Sequence, residues 1–181
     1  MNENQFWSLI ETSHHQANSD DEAQLELIRE ALSQLEPEEI VAFQRWFNHF
    51  HRVSYRADLW GAAYIMNGGA SDDGFDYFRG WLIAQGRKVF EAALENPDSL
   101  AEVISEDAEA DFEFELEEML YVAREPWVEK TGLEMDAFYE ALKPFDPLPE
   151  LGEFEWGDGE GDIDERKGKK LYPKLWAKFG Y

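Results

Sequence analysis

Cysteine is absent from the 181 residues. Disulfides, thiolate nucleophiles and cysteine-ligated zinc or iron–sulfur centres are thereby excluded. Basic residues are scarce: 16 Lys and Arg stand against 40 Asp and Glu, a formal net charge of −24. A surface of that sign repels phosphates, so neither direct nucleic-acid binding nor docking on an anionic membrane is expected. Apolar runs are short, and none approaches the roughly 18–20 residues that cross a bilayer. The opening MNENQFWSLIE has neither the basic start nor the apolar stretch of a secretory leader. Cytoplasmic residence is the expectation from these absences taken together.

What the chain does have is bulk. It carries 13 Phe, 7 Trp and 7 Tyr, and 44% of its residues are hydrophobic. That supports one globular domain with a sizeable core despite the charge. The charge is unevenly distributed. The first 165 residues hold all 40 acids and ten bases, whereas Arg166 to Tyr181 holds six bases and no acid. Since the tail also carries Leu171, Leu175, Trp176 and Phe179, it is expected to fold back onto the acidic body rather than to extend as a free arm.

Helical periodicity dominates. Phe6, Leu9 and Ile10 repeat at helical spacing behind Asn2 or Asn4 as caps. Leu25, Ile28, Leu32 and Leu35 follow, and Pro37 starts a helix with Ile40, Phe43, Phe47 and Phe50 on one face. Asp58 is read as the cap of a helix from Leu59 to Met66 that stops at Asn67-Gly68-Gly69. Ser71 caps the next helix, which runs to about Gln85, and Gly86 interrupts it. A shorter pattern through Leu94 ends at Asn96-Pro97, where Asp98 caps a last turn. Residues 105–118 hold eight acids and no base. There Phe112, Phe114 and Leu116 alternate as in a strand, while Ala108, Phe112, Leu116 and Leu120 repeat every fourth residue; the longer helical pattern, reaching Ala123, is preferred. A short helix through Phe138 and Leu142 precedes a Pro-, Gly- and acid-rich stretch.

The expected fold is all-α: seven to nine helices around a central αα-hairpin, with an irregular C-terminal extension. Residues 1–142 form the helical domain, and residues 143–181 pack on it. The two hairpin helices, 59–66 and 72–85, are apolar nearly all round and belong in the interior. Arg79 breaks that pattern. It lies within the apolar arc and needs a carboxylate or carbonyl partner, for which Asp72, Asp76 and Asp58 are candidates.

The run LWGAAYIMNGGASDDGFDYFRGWLIAQGRKVFEAALENPDSLA at 59–101 resembles the signature of the bacterial domain of unknown function family 4240. FWSLIE near the start, LEPEEIVAFQRWF at 35–47 and VEKTGLEMDAFY at 128–139 are similar to that family's usual segments. The positions typical of the family, Ser71, Asp72, Asp73, Gly74, Phe75, Arg79, Trp81 and Gly86, are present. The resemblance implies a mostly helical bacterial domain of uncharacterised role, with no catalytic residues to carry over.

Other constellations are weaker. His14 and His15 are adjacent and His49 and His51 are two apart, so neither pair shares a helix face as metal ligands would; no metal or other cofactor is expected. HExxH and GxSxG are absent. Acidic residues from Asp158 to Glu165 alternate like calcium ligands but fail the EF-hand template, with Ile163 where glycine is required and Lys169 where glutamate is required. Two readings of function follow. The preferred one is a non-enzymatic interaction or regulatory module that binds a basic protein partner through its acidic surface, with 105–118 as part of that face. The alternative is a hydrolase-like or nucleotide- or phosphate-handling site, metal-assisted if at all, at the 67–79 turn. Asp72, Asp73 and Arg79 would be its catalytic groups, and Asn67, Gly68, Gly69, Ser71 and Asp58 its binding groups. Oligomeric state has no signature in the sequence.

Overall fold

A computed structural model describes residues 1–104, 114–143, 150 and 165–180. Among the described residues there are ten α-helices, two short 3₁₀ turns and no strand, so the chain is an all-α domain. Local signals account for most helix starts. Helix α1 (Glu3–Ala17) opens with a reciprocal capping box, in which Gln5 N donates to Asn2 Oδ1 at 3.0 Å and Asn2 N to Gln5 Oε1 at 2.8 Å. Helix α2 (Asp21–Ser33) is capped by Asp20, and α3 (Pro37–Val53) places its proline in the first turn, where no N–H is missed. Helix α4 (Ala57–Asn67) ends on Gly68 with φ 66°, the left-handed region that glycine enters without Cβ strain. Ser71 Oγ accepts from Gly74 N at 3.1 Å to start α5 (Asp72–Ala84). Gly86, at φ 91°, separates α5 from α6 (Arg87–Glu95).

Helix α5 is the centre. It touches α1, α3, α4, α6 and the 3₁₀ turn Glu117–Leu120. Phe75, Phe78, Leu82 and Ile83 are wholly buried, and so are Leu59, Ala62 and Ala63 of α4. Full burial stabilises each large apolar side chain by about 1.5–3 kcal/mol. A ring cluster from α1, α3 and α6 closes one side, where Trp7 lies 4.5 Å from Phe50 and 5.4 Å from Phe90. On another side Trp60 stacks on Phe75 at 4.8 Å.

Three expectations are corrected. Asp58 is not a cap: α4 begins at Ala57, and Asp58 sits in its first turn, accepting from Arg56 Nε at 2.9 Å. The long helix through 123 is not formed in its described part. Residues 114–116 are irregular, with Phe114 and Leu116 buried on alternate positions, and the 3₁₀ turn follows. Contacts remote in sequence decide this, since Phe114 N donates to Asn67 Oδ1 at 2.9 Å and Leu116 N to Tyr77 O at 3.0 Å. Residues 105–113 lie outside the described residues. Third, Asn96 rather than Asp98 caps the 3₁₀ turn Pro97–Glu102.

Helices α7 (Arg124–Thr131) and α8 (Met135–Leu142) pack against α3. At the C-terminus, where irregular structure is expected, α9 (Glu165–Leu171) and α10 (Pro173–Phe179) form instead. Helix α10 packs on α4 and on the 97–102 turn, burying Leu175 and Trp176, while Leu171 stays exposed. Asp98, itself buried, accepts from Lys174 N at 3.0 Å and Leu175 N at 2.9 Å. Its carboxylate therefore caps α10, a helix 76 residues away in the chain.

Candidate functional site

The link between α4 and α5 has two glycines at positive φ, Gly68 at 66° and Gly69 at 147°, and Gly69 N donates to Tyr64 O at 2.8 Å. Most of its polar groups serve the fold, although the buried Asn67 Nδ2 has no partner among the described residues. Asn67 holds Phe114 N, Ala70 O accepts from Trp60 Nε1 at 3.0 Å, and Ser71 caps α5. Asp72 and Asp73 are exposed in the first turn of α5, where they complement its dipole. Asp58 sits at the far end of α4, roughly 13 Å along the axis from Asn67.

Arg79 is elsewhere. It has no exposed surface and lies between α5 and the end of α3. One Nη group forms an ion pair with Asp76, and the other donates to His51 O at 2.5 Å and meets His51 Nδ1 at 3.2 Å. Nε donates to Phe75 O at 3.3 Å, and the guanidinium faces the rings of Tyr55 and Phe75, each at 4.9 Å. His51 Nε2 is 3.1 Å from Asp76 O. Burial, and then the adjacent Arg79 charge, push the imidazole pKa down to about 4. His51 is therefore neutral at pH 7: Nε2–H donates to the carbonyl and Nδ1 accepts from the guanidinium. Burial also lowers the Arg79 pKa, against the opposing charge of Asp76.

The structure thus joins Arg79 to Asp76, one of the carboxylates weighed for it, and places Asp72, Asp73 and Asp58 apart from it. His51 is the member that the sequence reading missed. Its signal was spacing from Phe47 rather than from His49: four residues on, it shares the buried side of α3, and it stacks on Phe47 at 5.5 Å. His49 is exposed. Chemically the arrangement is a clamp, with a donor or acceptor of each of the three side chains turned onto its neighbours. Among the described residues no group of three His, Asp or Glu side chains is placed to hold a metal ion. The acidic stretch 158–164 lies outside the described residues, and Glu165 pairs with Lys169. No described helix is long and apolar enough to cross a membrane.

No curated protein and no solved structure matches the chain. A family match runs over residues 1–129, from α1 into α7, and takes in the 67–71 link and the clamp of His51, Asp76 and Arg79. The chain therefore belongs to the family described as Protein of unknown function (DUF4240).

Proposed function

We propose that this protein is a non-enzymatic cytoplasmic interaction or regulatory module that engages a basic protein partner through an acidic surface. The observation that carries the reading is how the few cations are used. Arg45 donates to Ala141 O at 2.9 Å, Lys130 to Ser33 O at 3.2 Å and Lys178 to Ala101 O at 3.3 Å, and Arg56 donates to Leu94 O at 2.7 Å while pairing with Asp58. Arg79 is buried, and Arg87 pairs with Glu3 and Glu91. Lys143, Lys169 and Lys174 pair with Glu140, Glu165 and Glu102, yet with 16 bases against 40 acids the excess of carboxylate has no cation of its own in the chain and stays available to a partner.

That excess has a shaped location between α2 and α7. Glu26, Glu30 and Glu125, against the single cation Arg29, line a groove of about 610 Å³ together with the apolar Ala17, Ala23 and Leu27. Three carboxylates against one guanidinium leave a net negative groove, and with apolar residues beside them they suit a lysine or arginine, whose stem packs on the apolar residues while its charge meets the carboxylates. The hydrolase-like alternative gains no such support, because Arg79 is sealed and Asp72 and Asp73 stand apart from it in solvent.

Affinity capture with the full chain at low salt, with elution at high salt, tests the reading. A partner with a basic surface is expected, and Glu26→Gln, Glu30→Gln and Glu125→Gln together should weaken it at least tenfold. Removing the same charge through Glu134→Gln, Asp136→Asn and Glu140→Gln should have little effect. Equal losses for the two sets, or retention that does not respond to salt, would overturn the proposal.

A further inference from the structure

Helices α1 and α2 pack against each other and leave a groove of about 400 Å³ along their outer side. Leu9, Leu27, Ala31 and Leu35 line it, and each is partly exposed, so the groove presents apolar surface to water. Ser8, Thr12 and Gln16 recur at i, i+4 and i+8 on the α1 wall; all three are exposed and none is charged. Glu39 is the one ionisable side chain among the described residues that line it. In a chain of which 31% is charged, this is a surface kept almost free of ions.

The groove is continuous with the acidic one. Gln16 and Leu27 line both, so the uncharged surface runs into the group of Glu26, Glu30 and Glu125. From Gln5 to Gln16 the α1 wall is roughly 16 Å long, three turns of a helix. Whatever lies along it must satisfy its own main chain. The amides and carbonyls of α1 and α2 are bonded within their helices, and the described residues offer no strand edge. A helix meets that condition and an extended peptide does not. Charge then sets the polarity of the occupant, apolar along the uncharged groove and cationic where it reaches the carboxylates. A second copy of the chain is disfavoured there, since each copy carries −24.

We propose that the partner presents an amphipathic helix, its apolar stripe laid along the α1–α2 groove and its basic end in the groove of Glu26, Glu30 and Glu125. The inference rests on the basic-partner reading above and adds the form in which the basic residues arrive.

The probe is a peptide of about 16 residues, long enough to span both grooves. It is an alanine–glutamine helix with leucines at i, i+4, i+7 and i+11 and lysines in its last turn, where they also complement the dipole. Its control is an isomer with the leucines scattered round the helix and the lysines unmoved. Each is titrated into the full chain while the ¹³C-methyl resonances of Leu9, Leu27, Ala31 and Leu35 are followed. The striped peptide should move them with a dissociation constant of order 100 µM, and the isomer should bind at least tenfold more weakly. The triple variant Glu26→Gln, Glu30→Gln and Glu125→Gln should weaken the striped peptide at least tenfold. Equal binding of the two peptides, lost in the triple variant, would overturn the helix and leave the acidic-groove reading standing. Striped-peptide binding that the triple variant does not weaken would overturn both. Silent methyls at about 1 mM striped peptide, tenfold above the expected constant, would overturn the inference alone, since the capture experiment above decides the reading. Methyl shifts that appear on diluting the unliganded chain about a hundredfold would assign the groove to a second copy and overturn it as well.

Discussion

A guanidinium has five N–H donors, and removing it from water demands acceptors for them. Arg79 finds its acceptors in Asp76, two main-chain carbonyls and an imidazole nitrogen. The partner within one turn was legible in the sequence, because Asp76 is three residues away on the same helix. His51 was not, because it reaches Arg79 only through the packing of α3 on α5. That packing has a consequence for pH. The unfolded chain protonates His51 near its ordinary 6.5, while the folded chain does so only near 4. Between those values the unfolded state binds more protons, so this group's stabilisation is complete above about 6.5 and is lost as pH falls towards 4. The loss amounts to at most about 3 kcal/mol. Urea unfolding at pH 7 and pH 4.5 should show a fall in stability that is smaller in His51→Gln, whose side chain offers a donor and an acceptor without titrating. Identical falls in the two proteins would remove His51 from the account.

Among the helices, caps and apolar periodicity marked α1 to α6 because those signals act within one or two turns. The segment 114–120 carried two periodicities, and the wrong one was preferred. Its main chain is held by Asn67 and Tyr77, partners about 40 residues back, and no local count registers them. Glycine within α5 records the same contact from the other side. A Cβ on Gly80 would stand 2.7 Å from Leu116 O and 2.9 Å from Leu120 Cδ1. In an open helix Gly80→Ala would stabilise by up to about 1 kcal/mol. Here it should destabilise by roughly 1–3 kcal/mol, as overpacking does, because a backbone carbonyl cannot move aside cheaply. Thermal and urea unfolding read the sign directly, and a raised melting temperature would show that the 114–120 segment is not pressed against α5.

Taken as a whole, the molecule is closed by its C-terminus. The return of a basic, apolar tail to an acidic body was foreseeable from charge and from Leu175 and Trp176. The instrument of its attachment was not: Asp98 caps α10, Lys174 pairs with Glu102 at 2.5 Å, and Tyr172 Oη donates to Asp58 O at 2.7 Å. Asp98→Ala should cost about 1–2 kcal/mol, the usual range for a lost cap. It should also speed tryptic cleavage at Lys174 and Lys178, whereas cleavage at an unchanged rate would mean that the apolar contacts hold α10 unaided. Composition and short-range pattern were enough to specify an acidic all-α chain, most helix starts and an arginine in need of a partner. These follow from main-chain hydrogen bonds and burial within a turn or two, which adjacent residues control. Folding alone selected His51 for Arg79, Asp98 for α10 and the 114–120 segment for the glycine face of α5. Each of those choices depends on which surfaces meet, and groups tens of residues apart acquire a common free energy only once the chain has brought them within hydrogen-bond reach.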